Sequence, residues 1–81
     1  MMTLLFENMF GEKREIAKPK TMEDARKEMM SFLDKHDFIS PYWRANEANS
    51  DLWIDVGSHS EFFWIHDDNK QLTIKDFQEA M

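Results

Sequence analysis

Eighty-one residues with 16 acidic and 10 basic side chains, a net charge of −6 and no cysteine narrow the possibilities at once. The chain has room for one domain and no second core, no thiol for a disulfide framework or a thiolate metal site, and no apolar run near the roughly 18 residues of a membrane span. Charge is uneven: residues 1–20 carry +1, residues 21–37 carry −2 and residues 38–81 carry −5. No basic stripe of the kind that displaces counterions from phosphates is present, so nucleic acid and anionic membranes are disfavoured partners; the acidic balance suits basic protein partners, and suits better still an ordinary solvated surface.

The opening MMTLLFENMF lacks a basic n-region and a small-residue cleavage site, and reads as a strand over residues 2–10 rather than a signal peptide. Gly11 opens a turn, and Arg14 to Lys18 suits a short returning strand that Pro19 ends. A helix is expected from Met22 to about His36. Thr21 is a good N-cap for the backbone N–H of Asp24, Glu23 and Asp24 complement the dipole in the first turn, and Lys35 does so in the last. At about 100° per residue Met22, Ala25, Met29, Phe32, Leu33 and His36 share one stripe, the face that should meet a core. Met30 lies off it.

Pro41 biases Ser40 away from helical geometry, so a strand is expected over residues 38–45, with the proline marking an edge or a bulge. The polar run Asn46-Glu47-Ala48-Asn49-Ser50 reads as a loop. Residues 51–56 form a strand, Gly57-Ser58-His59-Ser60 a turn, and residues 61–66 the next strand, closed by the turn formers Asp67-Asp68-Asn69-Lys70. A last helix runs from Ile74 toward Met81, with Thr73 and Asp76 as its cap and Leu72 stapled against Phe77. The order is β(β)αβββα, a small single α+β domain over residues 1–81 with a mostly antiparallel sheet, one main helix and a short C-terminal helix.

Seven of the eleven aromatic residues fall between Phe38 and His66. If Gly57–Ser60 is a four-residue hairpin loop, Val56 faces Glu61, Asp55 faces Phe62, Ile54 faces Phe63, Trp53 faces Trp64, Leu52 faces Ile65 and Asp51 faces His66. Opposed residues share a sheet face. One face then reads Leu52, Ile54, Val56, Phe63 and Ile65, the side for the main helix. The other mixes Asp51, Trp53, Asp55, Phe62, Trp64 and His66. A one-residue slip would exchange the two. One loop closure adds Tyr42 and Arg44 to the aromatic face, with Arg44 beside Trp53 and Asp55; the other turns Trp43 that way. Two outcomes stay open for this face. A second core layer could cover it, built from Phe6, Phe10, Ile74, Phe77 and Met81. Otherwise it is a binding patch of rings and acids made by Tyr42, Arg44, Trp53, Asp55, Phe62, Trp64 and His66.

No catalytic, metal or cofactor site is expected. His59 and His66 sit at opposite ends of a strand rising about 3.3 Å per residue, too far apart to share zinc. Asp67, Asp68 and Asn69 lack the EF-hand spacing. Ser58-His59-Ser60 near Asp55 has no strained elbow to present a nucleophile, and two glycines cannot build a phosphate-cradling loop.

The capped helix followed by Phe38-Ile39-Ser40-Pro41-Tyr42-Trp43-Arg44, Trp53-Ile54-Asp55-Val56-Gly57-Ser58-His59 and Phe62-Phe63 resembles short uncharacterised cytoplasmic proteins of Gram-positive bacteria and their phages, over roughly residues 21–66. The resemblance implies a cytoplasmic protein of a mobile genetic element and carries no activity to transfer. The expected function is a non-enzymatic protein-interaction module. The alternatives are single-stranded nucleic-acid binding by stacking on the aromatic face and a purely structural homodimer.

Overall fold

The computed structural model describes residues 1–35, 44–56 and 61–79. Five strands and two helices follow in the order β1 (Met2–Glu7), β2 (Lys13–Ala17), α1 (Met22–Lys35), β3 (Arg44–Ala48), β4 (Asp51–Asp55), β5 (Phe62–Asp67) and α2 (Ile74–Glu79). The strands make one sheet in the order β2-β1-β5-β4-β3, and every neighbouring pair is antiparallel. This is the small α+β domain that the order of elements predicts.

Local chemistry explains each element. In β1, Leu4 and Phe6 point to one side and are buried, while Thr3, Leu5 and Glu7 alternate to the other. The expected strand over residues 2–10 stops at Glu7, because Asn8 builds a loop. Its side-chain Oδ1 accepts from the backbone N–H of Phe10 (2.9 Å) and of Glu12 (3.0 Å). Gly11 supplies the φ of +80° that the return requires. In β2 the register shifts by one residue between the partners of Leu4 and Leu5. The bulge turns both Ile16 and Ala17 toward the core.

Helix α1 begins as expected, with Thr21 Oγ1 accepting from Asp24 N at 3.1 Å. Ala25, Met29 and Leu33 are buried on it, Met22 and Phe32 pack against the same core, and Met30 is exposed. His36 lies outside the described residues. Helix α2 carries the reciprocal capping box: Thr73 N donates to Asp76 Oδ2 at 2.9 Å, and Asp76 N donates to Thr73 Oγ1 at 3.3 Å. Leu72 and Phe77, on either side of that cap, are both buried. Ala80 and Met81 lie outside the described residues.

The third strand departs from expectation. The structure pairs Arg44–Ala48 with Asp51–Asp55, so the run read as a loop is mostly strand. Only Asn49 and Ser50 make the turn, with Asn49 at φ 60°, a conformation asparagine tolerates. Polar composition misleads here because β3 is an edge strand, where pairing with β4 outweighs the low intrinsic preference of Asn, Glu and Ala. The expected strand over residues 38–45 keeps only Arg44 and Ala45 among the described residues, as residues 36–43 lie outside them. The turn over residues 57–60 lies outside them too. Glu47 Oε2 accepts from Ile74 N at 3.1 Å, and Ser50 O accepts from Leu72 N at 3.1 Å, tying α2 to the β3–β4 hairpin.

Among the described residues the buried hydrophobic side chains form one cluster of Leu4, Phe6, Ala25, Met29, Leu33, Leu52, Ile54, Val56, Phe63, Ile65, Leu72 and Phe77. Both helices and one sheet face contribute to it, which makes two layers. Phe6 and Phe63 of this cluster form, with the partly buried Phe32 packed against it, a triangle of rings with centroids 4.5–5.6 Å apart. Arg26 of α1 lies with its guanidinium carbon 4.6 Å from the centre of the Phe77 ring, and its pKa is lowered by desolvation.

Candidate functional site

The pairing of β4 with β5 fixes the second sheet face. Leu52 opposes Ile65, Trp53 opposes Trp64, Ile54 opposes Phe63 and Asp55 opposes Phe62, the register read from the hairpin spacing. Leu52, Ile54, Val56, Phe63 and Ile65 are buried under the helices, and Asp51, Trp53, Asp55, Phe62, Trp64 and His66 are all half-buried on the opposite face.

The anticipated second core layer is not formed by the described residues proposed for it. Phe6 and Phe77 are buried on the helix side, Ile74 packs against that same core, and Phe10 stands 79% exposed at the tip of the first hairpin. The physical reason is alternation: Phe6 shares the parity of Leu4, which already faces the helices. Met81 lies outside the described residues. No described helix crosses the aromatic face.

Registers across the sheet arrange this face in three rows. The first runs Lys13, Glu7, Phe62, Asp55, Arg44 from β2 to β3; the second runs Glu15, Leu5, Trp64, Trp53, Asn46. The third holds Thr3, His66, Asp51 and Ala48. Of the residues expected to form a binding patch, Arg44, Trp53, Asp55, Phe62, Trp64 and His66 thus come together on one surface. Tyr42 lies outside the described residues.

The rings are held by polar partners. Trp64 Nε1 donates to Glu7 Oε1 at 2.8 Å, and the Lys13 ammonium sits 3.6 Å from the centre of the Trp64 ring. Trp53 meets Phe62 edge-on, with centroids 5.2 Å apart and planes at 86°. At the lower rim His66 Nδ1 lies 2.6 Å from Asp51 Oδ1, and Nε2 lies 3.0 Å from Asp68 Oδ1. The hydrogen bond to Asp51, with the charges of Asp51 and Asp68, raises the His66 pKa above its ordinary value. Both ring nitrogens then donate, as the imidazolium requires.

Glu7 and Lys13 were not among the residues expected here. Their contacts with Trp64 depend on β1 lying beside β5, a pairing that joins residues 57 positions apart. The available signal was the alternation Thr3, Leu5, Glu7 against Leu4, Phe6, which marks a polar-bearing face on β1 without naming its neighbour.

Elsewhere a cleft of about 290 Å³ opens at the first hairpin between Phe6, Asn8, Glu12, Lys13 and Arg14. It brings one acidic side chain beside two basic ones and an amide, with no nucleophile and base in hydrogen-bond contact. Among the described residues no group of three or more His, Asp or Glu is arranged to hold a metal ion, and no helix is long and apolar enough to cross a membrane. No protein-family model matches the chain, and neither a curated protein nor a solved structure matches it.

Proposed function

We propose that this is a non-enzymatic protein-interaction module of the cytoplasm that binds a protein through the sheet face that no described helix covers. One observation carries the reading: Trp53, Phe62 and Trp64 stay half-exposed at the middle of a sheet whose other face supplies its share of the core. Aromatic side chains surrounded by polar groups are the composition of binding hot spots, where large rings give contact area at low entropic cost. Arg44, Asp55 and His66 form the polar rim. The cysteine-free composition suits a reducing compartment.

Charge argues against the two alternatives. Stacking platforms for single-stranded nucleic acid pair rings with a basic groove. Here Glu7, Glu15, Asp51 and Asp55 outnumber Lys13 and Arg44. For a homodimer through this face, the first row reads cation, anion, ring, anion, cation. A two-fold axis along β5 sets Lys13 of one copy against Arg44 of the other, and Glu7 against Asp55. An axis along the Trp64–Trp53 row sets Asp55 against Asp51. Each near-aligned arrangement opposes like charges at the interface.

The test is capture from a lysate of the source organism with wild type and with Trp53→Ala, the variant first shown to unfold cooperatively. The expected result is a protein held by wild type and lost by the folded variant. If the variant keeps every protein that wild type keeps, the face is not the binding site.

A further inference from the structure

The contact between Lys13 and Trp64 shows what chemistry this face accepts. The ammonium stands 3.6 Å from the ring centre, while Glu7, hydrogen-bonded to the indole N–H of the same ring at 2.8 Å, adds a negative charge alongside. An indole face is the best aromatic partner for a cation, and an adjacent carboxylate strengthens the attraction. The arrangement of charge points the same way. Within the three rows, the inner strands carry Glu7, Asp55 and Asp51 around the rings, with His66 held by Asp51, and the edge strands β2 and β3 carry Lys13, Glu15 and Arg44. Acids therefore outnumber bases beside the rings, and around Trp64 the acid is Glu7. Lys13 is itself exposed and reaches inward from an edge strand, so its hold on the ring is a surface contact that another cation can replace at little cost.

Resting on the protein-binding reading above, we infer that the partner is a basic polypeptide segment, and that one of its lysine or arginine side chains takes the place of Lys13 over the Trp64 ring. Lys13 is then an internal stand-in that keeps the ring covered until the partner arrives. Bound, the incoming cation has the indole face beneath it and Glu7 beside it, and the released Lys13 returns to solvent. An arginine can also lay its guanidinium flat on the ring, which an ammonium cannot. The chain's net charge of −6 draws such a segment in during encounter.

The probe is acetylated, amidated hexalysine, titrated at low salt while the Trp64 indole N–H resonance is followed by NMR, with hexaglutamate and an oligothymidylate as comparison ligands. Hexalysine is expected to move that resonance and the other two are not. In Lys13→Ala, an exposed site where the fold is expected to persist, hexalysine should bind about twofold to fivefold more tightly, the scale of one exposed cation–π contact removed as a competitor. Lys20→Ala removes the same charge from an exposed position in the same part of the chain and should tighten binding less. The inference is overturned if hexalysine leaves Trp64 unmoved in both wild type and Lys13→Ala. Equal tightening by Lys20→Ala overturns it too, as does an equal response to hexaglutamate or oligothymidylate. If those results come while Trp53→Ala still loses the captured protein, only the cationic chemistry is wrong and the protein-binding reading survives. If Trp53→Ala keeps that protein, the broader reading falls and takes this one with it.

Discussion

The two faces of the sheet are built from alternate residues of the same strands, yet they solve opposite problems. On the helix side Leu4, Leu52, Ile54, Phe63 and Ile65 are fully buried and carry no polar side-chain atom, so their contribution is removal from water and close packing. On the other side the large residues, Leu5 apart, are rings with a polar edge or a polar neighbour. The indole of Trp64 is satisfied by Glu7, and the imidazole of His66 by two carboxylates. Partners of this kind would serve a permanently buried ring equally well, so it is the partial exposure of Trp53, Phe62 and Trp64 that sets this face apart. The difference shows that aromatic content alone does not mark a core; the exposure of the rings separates the two cases.

The sharpest way to break this comparison is to truncate one ring from each face. Phe63→Ala removes a fully buried ring that touches Phe6 and Phe32, and should cost about 3–5 kcal/mol. Against a total of roughly 4–12 kcal/mol for a chain of this length, the variant should be largely unfolded or melt at a far lower temperature. Trp53→Ala removes a half-buried ring whose partner is Phe62, and should cost about 1–2 kcal/mol with cooperative unfolding retained. Urea titrations of both variants decide the matter. Equal losses would assign Trp53 to a core and dissolve the distinction between the faces.

Much of this contrast was legible in the sequence, and the limits have physical causes. The β4–β5 register follows from a short loop and from strict alternation in Leu52-Trp53-Ile54 and Phe63-Trp64-Ile65, where a slip would bury charges. The helix α1 stripe and both N-caps follow from local spacing. Edge strand β3 was misread because its residues, Arg44-Ala45-Asn46-Glu47-Ala48, become a strand only through pairing with β4 and contact with α2. The partners of Trp64 were missed for a related reason. Strand pairing between the two ends of the chain brings Glu7 and Lys13 to the ring, and alternation says which face a residue occupies but not which strand lies beside it.

A smaller effect sharpens the account of the closed side. Thr73→Ala removes the hydroxyl half of the α2 cap, leaving the backbone bond to Asp76, and should cost about 1 kcal/mol. The backbone hydrogen bond from Thr73, with help from its hydroxyl and from Lys70 at 3.3 Å, lowers the Asp76 pKa. A depressed carboxylate contributes stability above its unfolded pKa and loses it as pH falls through the folded one. Asp76→Asn should therefore flatten part of the acid limb of a melting-temperature profile recorded below pH 4. A profile identical to wild type would detach α2 from that carboxylate.

The smallest expected effect belongs to the open side and has the opposite sign. His66 gains its proton more readily in the folded chain because Asp51 accepts a hydrogen bond from one nitrogen and Asp68 from the other. A group with a raised folded pKa binds more protons when folded, so its stabilisation is complete below the unfolded value of about 6.5 and disappears as pH rises through the folded value. The side chain is 44% exposed, so water screens both carboxylates and the gain is small. Wild type should melt slightly lower at pH 8.5 than at pH 5.5, and His66→Gln should lose that part of the difference. The same proton matters to the charge of the face. Losing it turns the row of Thr3, His66, Asp51 and Ala48 more anionic, so a basic probe such as hexalysine should bind more tightly at pH 8.5 than at pH 5.5. His66→Gln should reduce that dependence. Binding that weakens as pH rises would mean that the face does not select for positive charge, whatever ring the probe touches.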